Sequence, residues 1–122
     1  MQLFKTRYFS EWAIAENLPD DRLRKAIDEL SHGLHDGNLG SFCYKKRIGI
    51  SGRSKSKGAR LIIAFQIHNK AFFVYGYAKN AKENITEKEL AEYKKLATML
   101  LNLEDFEIES LIRNDELIEI LK

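Results

Sequence analysis

The chain has 122 residues, the usual size of one globular domain, so we expect a single domain over residues 1–122. Hydrophobic residues make up 44% of the sequence, charged residues 31%, and the formal net charge is +2, which is typical of a globular protein with one core. The longest apolar stretches, residues 61–65 and 71–75, are far shorter than the roughly 20 residues of a membrane-spanning helix. The single cysteine, Cys43, excludes an internal disulfide and a thiol-rich zinc finger, and we expect a cytoplasmic protein.

The first third of the chain predicts a short strand followed by two helices. Residues 3–6 are apolar enough for a strand, and Phe9, Trp12 and Ala13 follow at helical spacing. Pro19 fits the first turn of a second helix. The apolar stripe of that helix recurs at steps of four, three and four residues, at Leu23, Ile27, Leu30 and Leu34. Residues 33–40 are rich in glycine and read as a loop.

Three strand-like segments occupy the middle of the chain: residues 42–50, 61–67 and 71–78. The second alternates, with one face formed by Leu61, Ile63, Phe65 and Ile67. In the third segment the alternation predicts that Phe73, Tyr75 and Tyr77 lie on one side. A short connection at residues 68–70 predicts a hairpin between these two strands.

The last third predicts helices again. Thr86 and Glu89 have the spacing of a capping box that opens a helix. Leu111 and Ile112 fit the end of a further helix, and residues 117–121 fit a helix or a strand. The predicted fold class is therefore α+β. We expect N-terminal helices packed on a small antiparallel sheet of three to four strands, followed by C-terminal helices, with helices covering one face of the sheet.

The charges are distributed unevenly along the chain. Residues 37–82 contain ten Lys or Arg and no Asp or Glu, whereas residues 1–36 have a net charge of −2 and residues 83–122 have a net charge of −6. Such a segment either balances two acidic surfaces or binds a polyanion. Lys45 and Arg47 share a strand face, Arg60 begins the next strand and Lys79 ends the third. A nucleic-acid backbone is the natural ligand for this cluster, with bases stacking on Tyr75 and Tyr77.

A basic cluster of this kind could bind RNA or cut it. Cleavage by the RNA's own 2′-OH needs a base, an acid and cations that stabilise the charge on phosphorus. Histidine is the usual acid or base, but His32 and His35 lie outside the basic segment and His68 lies in a predicted turn. A lysine whose pKa is lowered by neighbouring cations could therefore act as the base instead. We expect no metal and no cofactor, and we interpret Cys43 as a buried structural thiol.

Three segments together resemble the RelE/HigB-like toxins of bacterial type II toxin–antitoxin systems. They are CYKKRI at residues 43–48, KSKGAR at residues 55–60 leading into LIIAF, and AFFVYGYAKN at residues 71–80 continuing to Asn84. The resemblance implies a small α+β fold and a ribosome-dependent endoribonuclease that cuts mRNA. By position, Lys45 and Arg47 are similar to the two strand cations of the family, one of them a candidate base. Arg60 is similar to the arginine that stabilises the transition state.

The resemblance also implies an RNA-binding set around these catalytic candidates. Lys79 matches a basic motif late in the third strand, and Lys55 matches a loop lysine. The remaining expected RNA contacts are Lys46, Arg53, Lys57, Tyr75, Tyr77, Asn80, Lys82 and Asn84. Asn80 replaces an arginine of RelE itself, and Thr86 lies near the position of a tyrosine, so the general acid stays open among Lys82, Tyr75 and Tyr77.

The implied partners are the ribosome, mRNA and an antitoxin. We expect the antitoxin to cover the basic surface with an acidic segment and to be of the helix-turn-helix type. Two other functions fit the same sequence. One is a gyrase inhibitor without enzymatic activity, as in the related ParE branch, and the other is an RNA-binding protein that does not cleave.

Overall fold

The computed structural model describes residues 1–50, 58–79 and 84–121. The N-terminal part forms a strand and two helices: β1 (Gln2–Thr6), α1 (Arg7–Ala15) and α2 (Asp20–Ser31). Four strands follow: β2 (Gly37–Gly40), β3 (Cys43–Ile48), β4 (Ala59–Gln66) and β5 (Lys70–Ala78). The C-terminal part consists of α3 (Glu87–Leu101), α4 (Asp105–Arg113) and β6 (Leu117–Ile120). The α+β class predicted from the sequence is confirmed.

Within the described residues the strands form one mixed sheet of six, in the order β2-β3-β4-β5-β1-β6. The three central strands predicted as an antiparallel unit are confirmed, with β4 paired to β3 on one side and to β5 on the other. The expectation of three to four antiparallel strands is wrong, because β1 inserts between β5 and β6 and runs parallel to β5. The short strand predicted at residues 3–6 is confirmed as β1, and it belongs to this sheet.

The two edge strands, β2 and β6, have only four residues each, which is too short for a clear strand pattern in the sequence. The segment predicted as a loop at residues 33–40 contains β2, which has a glycine at each end and pairs with β3 across a register shift. The segment at residues 117–121, left open between helix and strand, is β6. Neither segment has enough alternation to show a period, so pairing with a longer neighbour determines that both are strands.

Helices cover both faces of the sheet, which corrects the expectation of one covered face. One core cluster joins α1 and α2 to Leu61, Ile63 and Phe73, and a second joins α3 and α4 to Ile62 and Phe72. Accordingly, every residue of β4 from Ala59 to Phe65 is buried, which requires cover on both sides. Ile67, predicted on the face of Leu61, lies beyond the end of β4 and is exposed.

A bulge in β5 changes which side its aromatic residues face. Ile63 pairs with Phe73 and Ile62 pairs with Tyr75, so Val74 has no partner in the register. Phe73 consequently packs against α1, whereas Tyr75 lies on the α3 side. The prediction that Phe73 shares a side with Tyr75 and Tyr77 is therefore wrong. The Thr6 hydroxyl donates a hydrogen bond of 3.1 Å to the Val74 carbonyl, which gives this carbonyl a hydrogen-bond partner at the bulge.

Threonine side chains cap the first turns of α1 and α3. The Thr6 hydroxyl accepts a hydrogen bond of 3.1 Å from the Phe9 N–H and so caps α1. The predicted capping box of α3 is confirmed: the Thr86 hydroxyl accepts from the Glu89 N–H at 3.1 Å, and the Glu89 carboxylate accepts from the Thr86 N–H at 2.9 Å. Pro19 is the N-cap of α2 and does not lie within its first turn.

Candidate functional site

Three polar side chains form a row across the middle of the sheet. Arg47 on β3 pairs with Arg60 on β4, and Arg60 pairs with Tyr77 on β5. The next row on the same face consists of Lys45, Ile62 and Tyr75. Because side chains alternate along each strand, both rows extend from the α3 side of the sheet. The prediction that the strand cations converge on one face is confirmed for these three strands.

Lys79 continues this arrangement beyond the end of β5. Its N–H donates a hydrogen bond of 2.9 Å to the Gly58 carbonyl, which extends the pairing of β4 and β5 by one step. Lys79 follows Tyr77 by two residues, so the alternation carries its side chain to the same side. We refer to this surface as the cationic face and define it by Lys45, Arg47, Arg60, Tyr77 and Lys79.

The members of the cationic face differ in exposure. Arg60 and Tyr77 are buried at 6% and 4% exposure, whereas Lys45 and Lys79 are half-buried and Arg47 is exposed. A buried guanidinium has little freedom to reorient, so Arg60 presents a charge with a defined direction. The other three cations are more accessible to a ligand than Arg60 is. This combination suits an anion that is held by one rigid charge and by further charges at the surface.

Asp36 contacts Arg47 in two ways. Its carboxylate accepts a hydrogen bond of 2.6 Å from the Arg47 N–H, and the Arg47 Nε lies 3.5 Å from the other carboxylate oxygen. Asp36 lies just before β2 at the edge of the sheet. The carboxylate therefore orients Arg47 and partly neutralises it. The sequence analysis assigned Asp36 no part in the site.

Lys46 does not belong to the cationic face. Its side chain lies on the opposite side of β3, where it is 4% exposed and its Nζ is 2.9 Å from the Glu29 carboxylate of α2. A buried lysine requires such a partner, because an isolated charge would lose its hydration. The structure therefore separates Lys46 from the other predicted RNA contacts, and its ion pair joins β3 to α2.

Five of the predicted RNA contacts lie outside the described residues; these are Arg53, Lys55, Lys57, Asn80 and Lys82. Asn84 is described and exposed, and its side-chain oxygen accepts a hydrogen bond of 3.1 Å from the N–H of Ile85. That contact is local and connects Asn84 to no member of the cationic face. Its role in RNA binding stays a prediction.

Four tyrosines form a contiguous group beside the cationic face. The Tyr75 ring lies 5.0 Å from Tyr93 of α3, 5.9 Å from Tyr8 of α1 and 6.0 Å from Tyr77, measured between ring centroids. Burial, with Tyr75 and Glu89 nearby, raises the pKa of the Tyr93 hydroxyl well above its usual range. Tyr8 and Tyr93 were missed from the sequence. The one available signal was that Tyr8 is an aromatic residue outside the apolar stripe of its helix.

Lys94 of α3 adds a further cation at the β2 edge. A Cβ on Gly40 would lie 3.2 Å from the Lys94 Nζ, so the ammonium sits directly against this strand. Burial raises the pKa of the nearby Cys43 thiol to about 11, and the Lys94 charge opposes that shift. Cys43 is completely buried, which confirms its interpretation as a structural thiol.

The histidines lie apart from the cationic face. The His32 Nδ1 is 2.8 Å from the Asp28 carbonyl, the His35 ring packs against Tyr44, and His68 occupies the β4–β5 turn with a φ of 62°. Among residues 1–50, 58–79 and 84–121, no cluster of three or more His, Cys, Asp or Glu is placed to bind a metal ion. The side chains that define the cationic face are those of lysine, arginine and tyrosine, with the Asp36 carboxylate beside Arg47.

A comparison with protein families matches residues 1–120 to RelE, described as the RelE toxin of the RelE / RelB toxin-antitoxin system. The chain belongs to the RelE toxin family. The resemblance inferred from three short segments is thereby confirmed over nearly the whole chain, and membership implies an antitoxin partner. A comparison with curated proteins gives no match. No helix in the described part of this RelE-family chain is long and apolar enough to cross a membrane.

Proposed function

We propose that this RelE-family toxin is a ribosome-dependent mRNA endoribonuclease that uses the cationic face to bind and cleave RNA. The observation that carries the proposal is the row of Arg47, Arg60 and Tyr77 across three adjacent strands. Two arginines directly opposite each other concentrate positive charge at one place on the sheet, which suits a ligand with closely spaced negative charges. A phosphodiester flanked by further phosphates is such a ligand.

The proposed reaction is attack of a ribose 2′-oxygen on the adjacent phosphorus. The bond between phosphorus and the 5′-oxygen of the next nucleotide breaks, which leaves a 2′,3′-cyclic phosphate and a 5′-hydroxyl end. Arg60 is assigned to the phosphate oxygens, where charge develops in the transition state, because a fixed donor there needs no reorientation. Arg47 and Lys79 are assigned to the phosphate and its neighbours.

Two proton transfers complete the reaction. Lys45 is the candidate base that takes the proton of the 2′-hydroxyl, since it lies one row away from Arg47 on the same strand. Tyr77 is the favoured candidate acid for the leaving 5′-oxygen among the described residues, because it neighbours Arg60 in the row. Tyr75 is less suited to this role, since Tyr8 and Tyr93 flank it. Lys82 lies outside the described residues.

The ribosome enters the proposal as the element that orients the substrate. Lysines and arginines on a sheet hold phosphates without fixing the 2′-oxygen in line with the leaving group, and alignment of reacting atoms contributes much of an enzymatic rate. An mRNA held in a decoding site is aligned before the toxin arrives. The proposal therefore places the chain in the cytoplasm. Its inhibitor would be a helix-turn-helix antitoxin that covers the cationic face with an acidic segment.

The test is to express the chain inducibly with and without its antitoxin and to map the 5′ ends of a reporter mRNA. We expect cuts within translated codons that disappear when the start codon is removed. Arg60→Ala should reduce cutting by at least about 100-fold, as loss of a transition-state donor does elsewhere. Lys25→Ala is the matched control, because Lys25 is an exposed cation of α2 on the other side of the sheet.

Three results would contradict the proposal. They are cuts that persist without translation, full toxicity of Arg60→Ala in a folded protein, and growth arrest without any cut. In the last case a DNA supercoiling assay with purified gyrase separates the alternatives. Inhibition by the wild-type chain would favour the gyrase inhibitor, whereas unaffected gyrase and intact RNA bound to the chain would favour binding without cleavage.

A further inference from the structure

The tyrosine group beside the cationic face differs in exposure from one ring to the next. Tyr75 is half-buried, and the rings of Tyr8 and Tyr93 stack on it with interplanar angles of 28° and 23°. These two contacts occupy ring surface of Tyr75 that a base would need for stacking. Tyr8, by contrast, is 69% exposed. Tyr8 is the most exposed tyrosine of this group, so its ring is the best placed to receive another aromatic ring.

The position of Tyr8 follows from the place where β1 ends. β1 runs beside β5 as far as Lys5, which pairs with Phe73, and β5 then continues to Ala78 with β4 on its other side and no β1 residue beside it. α1 begins at this level, so its first turn lies against the part of β5 that β1 leaves uncovered. Tyr8 consequently reaches the side of the sheet that carries Tyr75 and Tyr77, although the rest of α1 packs on the opposite side.

Tyr8 also borders a groove of about 500 Å³ between the start of α1 and α3. The floor of the groove is apolar, and its side chains come from α3, α4 and β6; they are Leu96, Met99, Leu100, Leu111 and Leu117. This volume lies within the usual range for sites that bind small organic groups. An apolar floor next to an exposed aromatic ring suits a flat, largely apolar group such as a nucleobase.

The rim of the groove carries more negative than positive charge. The Arg7 guanidinium lies 3.5 Å from the Glu116 carboxylate and 3.8 Å from the Glu11 carboxylate, so one cation faces two anions. This rim repels phosphate, which remains on the cationic face. Carboxylates instead accept hydrogen bonds from the exocyclic amino groups of cytosine and adenine. Uracil has no such amino group.

We propose that the groove beside Tyr8 binds one base of the RNA substrate, which stacks on Tyr8, and prefers a base with an exocyclic amino group. This inference rests on the proposed endoribonuclease function. The site is connected to the cleavage row by two ring-to-ring steps, 5.9 Å from Tyr8 to Tyr75 and 6.0 Å from Tyr75 to Tyr77. The base it binds therefore belongs to a nucleotide near, but not at, the bond that is cut.

The test measures binding of fluorescein-labelled six-nucleotide RNAs that carry 2′-O-methyl groups and cannot be cleaved. The probes are oligocytidine, oligouridine and an abasic strand of the same length, used with the full-length chain. We expect affinity to fall in that order, because the three probes share their phosphates and differ in their bases. Tyr8→Ala should weaken oligocytidine binding by about 5- to 150-fold, the effect of losing one stacked base.

Matched variants separate stacking from loss of structure. Tyr8→Phe keeps the ring and should bind oligocytidine like the wild-type chain, as should Ile14→Ala, which alters an exposed residue of the same helix. Glu116→Gln should reduce the preference for oligocytidine over oligouridine. Since the phosphate contacts are retained, the dependence of log affinity on log salt concentration should be the same for Tyr8→Ala as for the wild-type chain.

Several outcomes would overturn the assignment. In the first, Tyr8→Ala and the wild-type chain bind oligocytidine equally well. In the second, Tyr8→Ala weakens binding of the abasic strand as much as binding of oligocytidine. In the third, Tyr8→Ala lowers the affinity for the antitoxin and leaves RNA binding intact. A wild-type chain that cuts mRNA on ribosomes but binds all three probes equally would overturn the Tyr8 site and leave the cleavage proposal standing. A chain that binds bases through Tyr8 but cuts no mRNA would overturn the cleavage proposal and leave the Tyr8 site standing.

Discussion

Arg47 and Arg60 lie directly opposite each other on neighbouring antiparallel strands and extend from the same face of the sheet. Like charges in such a pair destabilise a sheet. The structure offsets part of this repulsion at Arg47, where Asp36 accepts a hydrogen bond from the backbone N–H and lies 3.5 Å from the side-chain Nε. The pair thus brings two positive charges together at the point where the proposed function needs them.

Removing the charge of Asp36 should increase RNA affinity. Asp36→Asn keeps the size of the side chain and an acceptor for the Arg47 N–H but releases the guanidinium from its counter-charge. We expect about 2- to 5-fold tighter binding of a short RNA at low salt, the scale of one partly exposed ion pair. Fluorescence anisotropy measures this change. Asp28→Asn, at an exposed position of α2, is the control, and equal binding by both variants would contradict the prediction.

Lys46 and Lys45 should respond to substitution in opposite ways. Lys46→Ala removes a buried ammonium that lies 2.9 Å from the half-buried Glu29 carboxylate, so it should lower the free energy of unfolding by about 1–3 kcal/mol. Lys45→Ala should leave stability nearly unchanged but reduce the slope of log RNA affinity against log salt by about 1. Urea unfolding and RNA titration measure the two effects.

The double variant Lys46→Met with Glu29→Gln provides the control for the buried pair. It removes both charges together and should recover much of the stability that Lys46→Ala loses. If instead the double variant is no more stable than Lys46→Ala, the ion pair is not the cause. If Lys46→Ala is stable and reduces the salt slope as Lys45→Ala does, the assignment of Lys46 to the opposite face is contradicted.

Gly76 is required by the ring of Trp12. A Cβ at this position would lie 2.3 Å from the Trp12 Cζ3, well inside any normal contact. We expect Gly76→Ala to lower the free energy of unfolding by about 1–3 kcal/mol, the usual effect of overpacking a core. Gly37→Ala is the matched control, since its nearest neighbours would be at 3.7–3.8 Å. Equal stability of the two variants by thermal unfolding would contradict the packing argument.

Cys43 should make the protein less stable at alkaline pH. Its thiol has a pKa of about 11 in the folded chain against 9.0 when unfolded, because burial disfavours the thiolate. The contribution of the protonated Cys43 thiol to the free energy of unfolding is fully present below pH 9. It is lost as the pH rises toward 11, because the thiol loses its proton at lower pH in the unfolded chain than in the folded chain. Between these two pH values the free energy of unfolding should fall by up to about 1.4 kcal/mol per pH unit.

Urea unfolding between pH 8 and pH 11 measures this loss as a function of pH, roughly over the range in which thiols and phenols ionise. Cys43→Ala should flatten the dependence above pH 9. Tyr93→Phe should flatten its upper end, because the Tyr93 hydroxyl also has a raised pKa in the folded chain. Wild-type stability that stays constant over this range, or a slope that neither variant alters, would count against burial as the cause of the pKa shifts.

Much of the candidate site could be predicted because it depends on local alternation. Lys45 and Arg47 are two residues apart in a strand, so any sheet built from that strand presents them together. The same alternation assigns Lys46 to the opposite face, and its inclusion among the RNA contacts relied on charge alone. Tyr8 could not be assigned to the site in this way, because its position depends on where β1 ends relative to β5.

The residues alone predict the α+β class, the three central strands, the start of α3 and the family. These features depend on period, capping residues and the spacing of short segments, all of which act over a few residues. Four other features follow from the folded chain: the parallel pairing of β1 with β5, the strands β2 and β6, the bulge at Val74 and the cover on both faces. Those features depend on contacts between distant segments, whose free energy leaves no periodic signal in either segment alone.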